Sequence, residues 1–240
     1  MSYTATFDGH DLSDLFTVTD VARTVASWEP NSVDVPGRSG AVVTGTRALP
    51  VDVTMTLWPL ASTAAGRQTS IRTLVGWLAV DEPKALALGD EGGLWRLALP
   101  ADAADVTQHV DADSIALTFR CFDPVLYGDE DSATVPSGGS VTFTVGGTAP
   151  TWPTVTASAA LEGSSGYWRL TLDSGVHLDA DTGSSAVAVN ADCAKRVLKV
   201  DGLVQMLQTS ADWLRLTPGT HTVSMNGTGA ATLTWRERWW

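Results

Sequence analysis

The sequence predicts a mainly β protein of two domains, and three features carry that expectation. Runs rich in valine and threonine alternate apolar with polar residues, one segment alone has helical period, and an acidic stretch near the middle is followed by Ser, Pro and Gly.

In the first half, "LASTAAGRQTSIRTLVGWLAVDEP" places Ile71, Leu74, Val75 and Leu78 at the i, i+3, i+4, i+7 spacing of one helical face, predicting a helix near 64–79. Ser62 or Thr63 is positioned to cap its start, and Pro83 limits its continuation. Gly66 and Gly76 each weaken such a helix by about 1 kcal/mol relative to alanine. Packing against a sheet must therefore stabilise it. "GDEGG" at 89–93 reads as a hairpin turn, and "SIALTFRCFD" as a strand with Ile115, Leu117, Phe119 and Cys121 on one face.

"YGDEDSATVPSGGS" marks a boundary near residue 128, giving expected domains of 1–127 and 128–240. In the second half, period-two alternation groups Val141, Phe143 and Val145, then Trp168, Leu170 and Leu172. "WLRLTPGTHTVSMNG" reads as strand, tight turn and strand. The final "ATLTWRERW" puts Leu233, Trp235 and Trp239 on one face, with Thr234, Arg236 and Arg238 on the other. The two arginines read as outer-face charges that discourage edge-to-edge pairing.

The 240 residues are 44% hydrophobic, enough for a sizeable core in each domain. The formal charge of −12 argues against nucleic-acid binding, and neither half is basic: 8 basic against 16 acidic residues precede residue 128, and 7 against 11 follow it. Cys121 and Cys193 are too few for a disulfide scaffold and lie in no metal-ligand spacing, so both are expected as reduced, partly buried thiols. The start lacks the basic and apolar blocks of a signal peptide, and no apolar run reaches the roughly 18 residues of a spanning helix. A soluble protein made in a cytoplasm is the expectation.

Catalytic chemistry has no foothold in motif space. His10, His109, His177 and His221 occupy unrelated contexts and most read as solvated turn or strand residues; nucleophile elbow, phosphate loop and dinucleotide fingerprint are all missing. No cofactor or metal follows from any motif, and an enzyme is not expected. In "DADTGSS", Asp179, Asp181 and Gly183 imitate the start of a calcium loop, but the twelfth position is Asn190 rather than a bidentate glutamate, so an Asp/Gly turn is the simpler reading. Ten tryptophans leave a choice between core, contact surface and sugar platform. Alternation favours a core role for Trp168, Trp213 and Trp235, with Trp239 and Trp240 covering an edge or meeting a neighbour. As a glycan-binding or docking set, the candidates are Trp168, Trp213, Trp239 and Trp240.

The order of parts resembles the distal tail proteins of long non-contractile-tailed bacteriophages. The matching pieces are "VPGRSGAVVTG", "LPVDVTMTLW", "IRTLVGWL", "PKALALGDEGGLWRLAL" and "IALTFRCFDPVLYG", then "APTWPTVTAS", "KRVLKVDG", "DWLRLTPGTHTVSMNG" and "ATLTWRERWW". The resemblance implies an N-terminal β domain with one packed helix that forms a ring of six, and a C-terminal galectin-like β-sandwich. It further implies a structural adaptor at the distal end of the virion's tail, assembled in the host cytoplasm. Tail-tube, tape-measure, tail-associated hub and receptor-binding proteins are the implied partners. An acidic lining would help DNA slide through such a ring. The alternatives are a carbohydrate-binding module for a bacterial wall glycan and a tail-tube subunit.

Overall fold

The computed structural model describes residues 3–108 and 113–240, so His109 lies outside the described residues. The chain forms two compact units, the first running to Leu126 and including Trp240, the second comprising Tyr127–Trp239.

The first unit contains strands β1 (Ala5–Phe7), β2 (His10–Asp11), β3 (Phe16–Arg23), β4 (Trp28–Asp34), β5 (Ala41–Ala48) and β6 (Val51–Pro59). Helix α1 (Ala64–Leu78) follows, then β7 (Lys84–Leu88), β8 (Trp95–Gln108) and β9 (Asp113–Cys121). Short 3-10 turns occupy Leu12–Asp14 and Gly89–Glu91, the second inside the connection between the antiparallel strands β7 and β8. Antiparallel pairing runs β2, β1, β7, β8, β9, β6, β3. A bridge between Tyr3 and Val18 then returns β3 to the chain just before β1, so the series wraps around its own core. Strand β8 makes the wrap possible: its start pairs with β7 and its remainder with β9.

Alternation puts Val51, Val53, Met55 and Leu57 of β6 inward, opposite Cys121, Phe119, Leu117 and Ile115 of β9. Phe7 and Phe119 meet at the centre with ring centroids 4.8 Å apart. Helix α1 begins at Thr63, whose hydroxyl accepts the Gly66 N–H at 3.1 Å. Its inward stripe differs from the expected one. Leu74 is buried and Ile71 and Leu78 pack partly against the core, but Val75 is 60% exposed. The stripe is completed by Arg67 and Ser70, polar residues that hydropathy would place outside. Arg67 is tolerated there because its Nε donates to Asp113 Oδ2 at 3.0 Å and its Nη1 to the Ser62 carbonyl at 3.2 Å.

The second unit is a two-layer β-sandwich. Its strands are β10 (Leu126–Val135), β11 (Ser140–Val145), β12 (Thr154–Ala160), β13 (Trp168–Leu172) and β14 (His177–Ala180). They continue with β15 (Val187–Asp192), β16 (Val197–Val200), β17 (Leu203–Gln205), β18 (Gly219–Asn226) and β19 (Ala231–Trp239). One layer orders β17, β16, β15, β12, β19, β10 and the other β11, β18, β13, β14. Between them pack Trp168, Leu170, Val223, Leu233 and Trp235.

Two expectations change here. Residues 213–216 form no strand of a terminal hairpin; Leu216 makes one bridge to Thr151, with reciprocal N–H to carbonyl bonds of 2.8 Å. Leu214 and Leu216 are nevertheless fully buried, which explains the strand-like alternation. Strand β19 is interior to its layer, so Arg236 and Arg238 guard no edge. Arg236 instead donates to Gly128 O and Glu130, and Arg238 to Pro150 O. At Gly147, with φ of +95°, a Cβ would collide with the Arg238 carbonyl, the acceptor for the N–H groups of Thr148 and Ala149.

Candidate assembly interface

Strands β4 and β5 stand apart from the wrapped sheet of the first unit as a separate two-stranded arm. Its turn follows from sequence: in "VPGR", Pro36 fixes φ near −65° and Gly37 adopts φ of +82°, letting Arg38 N–H reach the Val35 carbonyl at 3.1 Å. The strands pair from Asp34 opposite Ala41 to Trp28 opposite Ala48, with a bulge at Asn31/Ser32 and an Arg47–Glu29 ion pair across the root. Val33 and Val43 lie on opposite faces and are 54% and 61% exposed. Every residue of β4 is exposed. An isolated two-stranded hairpin is marginal in water, so this arm lacks the apolar cover that stabilises strands elsewhere.

Charged side chains hold the strand that leads into the arm. Arg23, near the end of β3, donates to both Asp90 oxygens, and Arg96 pairs with the buried Glu91 carboxylate. Arg23 holds the Asp90 carboxyl below the usual carboxylate range, whereas burial pushes Glu91 above it against the pull of Arg96 and Arg23. Next to this group, Arg120 Nε and Nη2 reach Asp52 at 2.8 and 2.9 Å as a cross-strand pair and lower the Asp52 pKa. Burial pushes the Cys121 thiol up to about 11 and Cys193 up to about 12, so neither has the character of a nucleophile.

The tryptophans singled out in the sequence are not brought together. Trp168 is 0% exposed, its ring filling the sandwich core, so it presents no platform to a glycan or partner. Trp213 is partly buried against the same core, and Trp239 is half-buried at the end of β19. Trp240 is grouped with the first unit and exposed, edge-on to Trp28 at 5.4 Å between centroids. Asp179 is no calcium ligand in waiting, because both its oxygens accept from Arg169 at 2.7 Å; Asp181 Oδ1 accepts the Gly183 N–H in an Asx turn. One histidine departs from the solvated expectation: His221 is buried with Nε2 2.7 Å from the Thr217 carbonyl, whereas His10 stays exposed while stacking on Trp77 with centroids 4.7 Å apart. Alternation does not reveal the arm, since "WEPNSVD" breaks its period with the run Glu29, Pro30, Asn31 and Ser32; the Pro-Gly turn after it is the available signal.

Both units of the chain match family models of phage tail proteins. Residues 9–121 match the family described as phage tail protein RIFT-related domain, and residues 146–239 the siphovirus-type tail component, C-terminal domain. The chain is similar to the distal tail protein of Bacillus phage SPP1, with 26% identity over 98% of this chain and 95% of the relative. Among solved structures it resembles SPP1 Dit, described as a paradigm of hub adsorption apparatus in phages infecting Gram-positive bacteria, with a TM-score of 0.80 at 22% identity over 99% of both chains. A chain of the phage p2 baseplate in its activated conformation with strontium shares the fold at a TM-score of 0.51 and 11% identity, over 98% of both chains. The two family matches together span residues 9–121 and 146–239 and set the chain among siphophage tail components, with the SPP1 distal tail protein as a relative along nearly its whole length.

Proposed function

We propose that this chain is a structural ring subunit at the distal end of a siphophage tail, six copies closing through the N-terminal unit to join the tail tube to the tip. The carrying observation is the arm of β4 and β5, which exposes valines on both faces and, among the described residues, pairs with no other strand. A second copy is the natural cover: identical heterologous contacts repeat around an axis and close into a ring when the rotation allows. Similarity to the SPP1 distal tail protein supports this reading. Tail-tube, tape-measure, tail-associated hub and receptor-binding proteins are the proposed partners, met at the two faces and the rim of the ring. The domain division proposed from sequence, 1–127 and 128–240, assigns ring formation to the first part and leaves the sandwich for outward contacts.

Native mass spectrometry with negative-stain imaging tests the reading. Six copies of a 25.3 kDa chain weigh about 152 kDa, and ring-shaped particles at that mass are expected. Long stacked tubes would instead identify a tail-tube subunit. A monomer that stays a monomer at every concentration, and in the presence of the tail-tube protein, would overturn the ring.

A further inference from the structure

The sandwich carries an open cavity of about 350 Å³ lined by Trp152, Val176, Arg196, Asp212, Trp213 and Arg215. Its lining combines indoles with guanidinium groups. Two indoles converge on it, Trp152 half-exposed and Trp213 partly buried. Trp152 is held in place by two guanidinium groups, Arg215 at 5.7 Å and Arg238 at 5.3 Å from its ring centroid. In a chain of net charge −12, Arg196 and Arg215 have no carboxylate within 4.0 Å among the described residues, whereas most of the other basic side chains do. Arg196 also sits at φ of +56°, a strained conformation for a side chain of its size, in the turn that Asp192 caps through the Lys195 N–H. Asp212 is the one acid of the lining. One of its oxygens accepts the Trp213 N–H at 2.7 Å, and its own N–H is tied to the His177 carbonyl at 2.9 Å.

We infer that this cavity is a binding site for an anionic saccharide, a sugar ring carrying a phosphate or carboxylate. A pyranose has an apolar C–H face that suits an indole and hydroxyls that suit a carboxylate such as Asp212. Its anionic substituent takes charge-assisted hydrogen bonds from Arg196 and Arg215. With two cations against one acid, the lining favours an anion over a neutral sugar. The site is built within the sandwich and does not depend on the ring.

The test follows the indole N–H resonances of the full chain, selectively labelled with 15N-tryptophan, during titration with glucose 1-phosphate, glucose and inorganic phosphate in parallel. The Trp152 and Trp213 signals are expected to move with glucose 1-phosphate, and affinity to fall at least about tenfold in Arg215→Ala or Arg196→Ala. Both arginines are exposed, so unchanged melting temperatures will accompany that loss. Glucose binding as tightly as its phosphate would overturn the anionic part. Inorganic phosphate shifting the same signals as strongly would reduce the cavity to a simple anion site and overturn the saccharide. No movement of either signal with any of the three would remove the site altogether.

Discussion

The Arg169–Asp179 pair shows how one side chain can hold a sandwich edge. The residues face each other across β13 and β14, and Asp179 is fully buried while Arg169 stays partly open to water. A buried carboxylate is tolerable only while its forked partner remains, since burying an unpaired charge costs several kcal/mol. Arg169→Ala should therefore destabilise the second unit by about 3–5 kcal/mol. Urea unfolding followed by near-UV circular dichroism of the tryptophans would measure it. Asp179→Asn combined with Arg169→Ala should recover part of the loss, because the charge left behind is then gone. A single variant as stable as the parent would show that Asp179 is reached by water. Nothing in the Asp/Gly spacing of "DADTGSS" distinguished this ion pair from a cation loop. The distinguishing fact is the register that sets Arg169 opposite Asp179, and register is a long-range property.

At the scale of elements, helix α1 separates what sequence can specify from what packing decides. Its limits, its cap and the burial of Leu74 follow from local chemistry. The inward stripe rotates away from Val75 because Arg67 reaches Asp113, and this pair is set by how the helix lies on the strands. Two variants expose the difference. Leu74→Asp should unfold the first unit or cost it several kcal/mol, whereas Val75→Asp should stay within about 0.5 kcal/mol of the parent. Thermal unfolding of both compares them directly, and equal losses would restore the helical face that hydropathy suggests. In the same way, inward positions of β6, β9 and β13 were legible from alternation, but the failed strand at 213–216 was not. Leu214 and Leu216 alternate because they plug the core, and the single bridge from Leu216 to Thr151 does not make a strand of them.

Acid sensitivity also belongs to elements, because Asp52 and Asp90 tie strands and turns together. Arg120 and Arg23 hold their pKa values below the ordinary value near 3.9. Their stabilisation is thus complete above that value and is lost as pH falls through the lowered folded-state values. Glu91 acts in the opposite sense: its raised pKa contributes stability at low pH that fades as pH rises through the folded value. Asp52→Asn should flatten the acid side of the stability profile, read as urea midpoints from about pH 6 down to about pH 3. An unchanged slope would mean that the exposed Asp52–Arg120 fork is screened into irrelevance.

For the whole molecule the open question is what covers the arm. A free hairpin with exposed valines is a liability in a monomer, since open strand edges and apolar faces invite uncontrolled association. A closed ring removes the liability by giving every arm the same seat on the next copy. The two readings of the arm, loose appendage or ring contact, differ in what a surface charge does. Val33→Asp and Val43→Asp alter opposite faces without touching either core, so each variant should fold with an unchanged melting temperature when monomeric. If the arm is the ring contact, at least one of them should shift the native mass from about 152 kDa to the single chain, and both together should abolish rings in negative stain. Should the double variant still assemble, the arm would be released from the interface, and the wrapped sheet's remaining edge at β2 would become the surface through which copies meet.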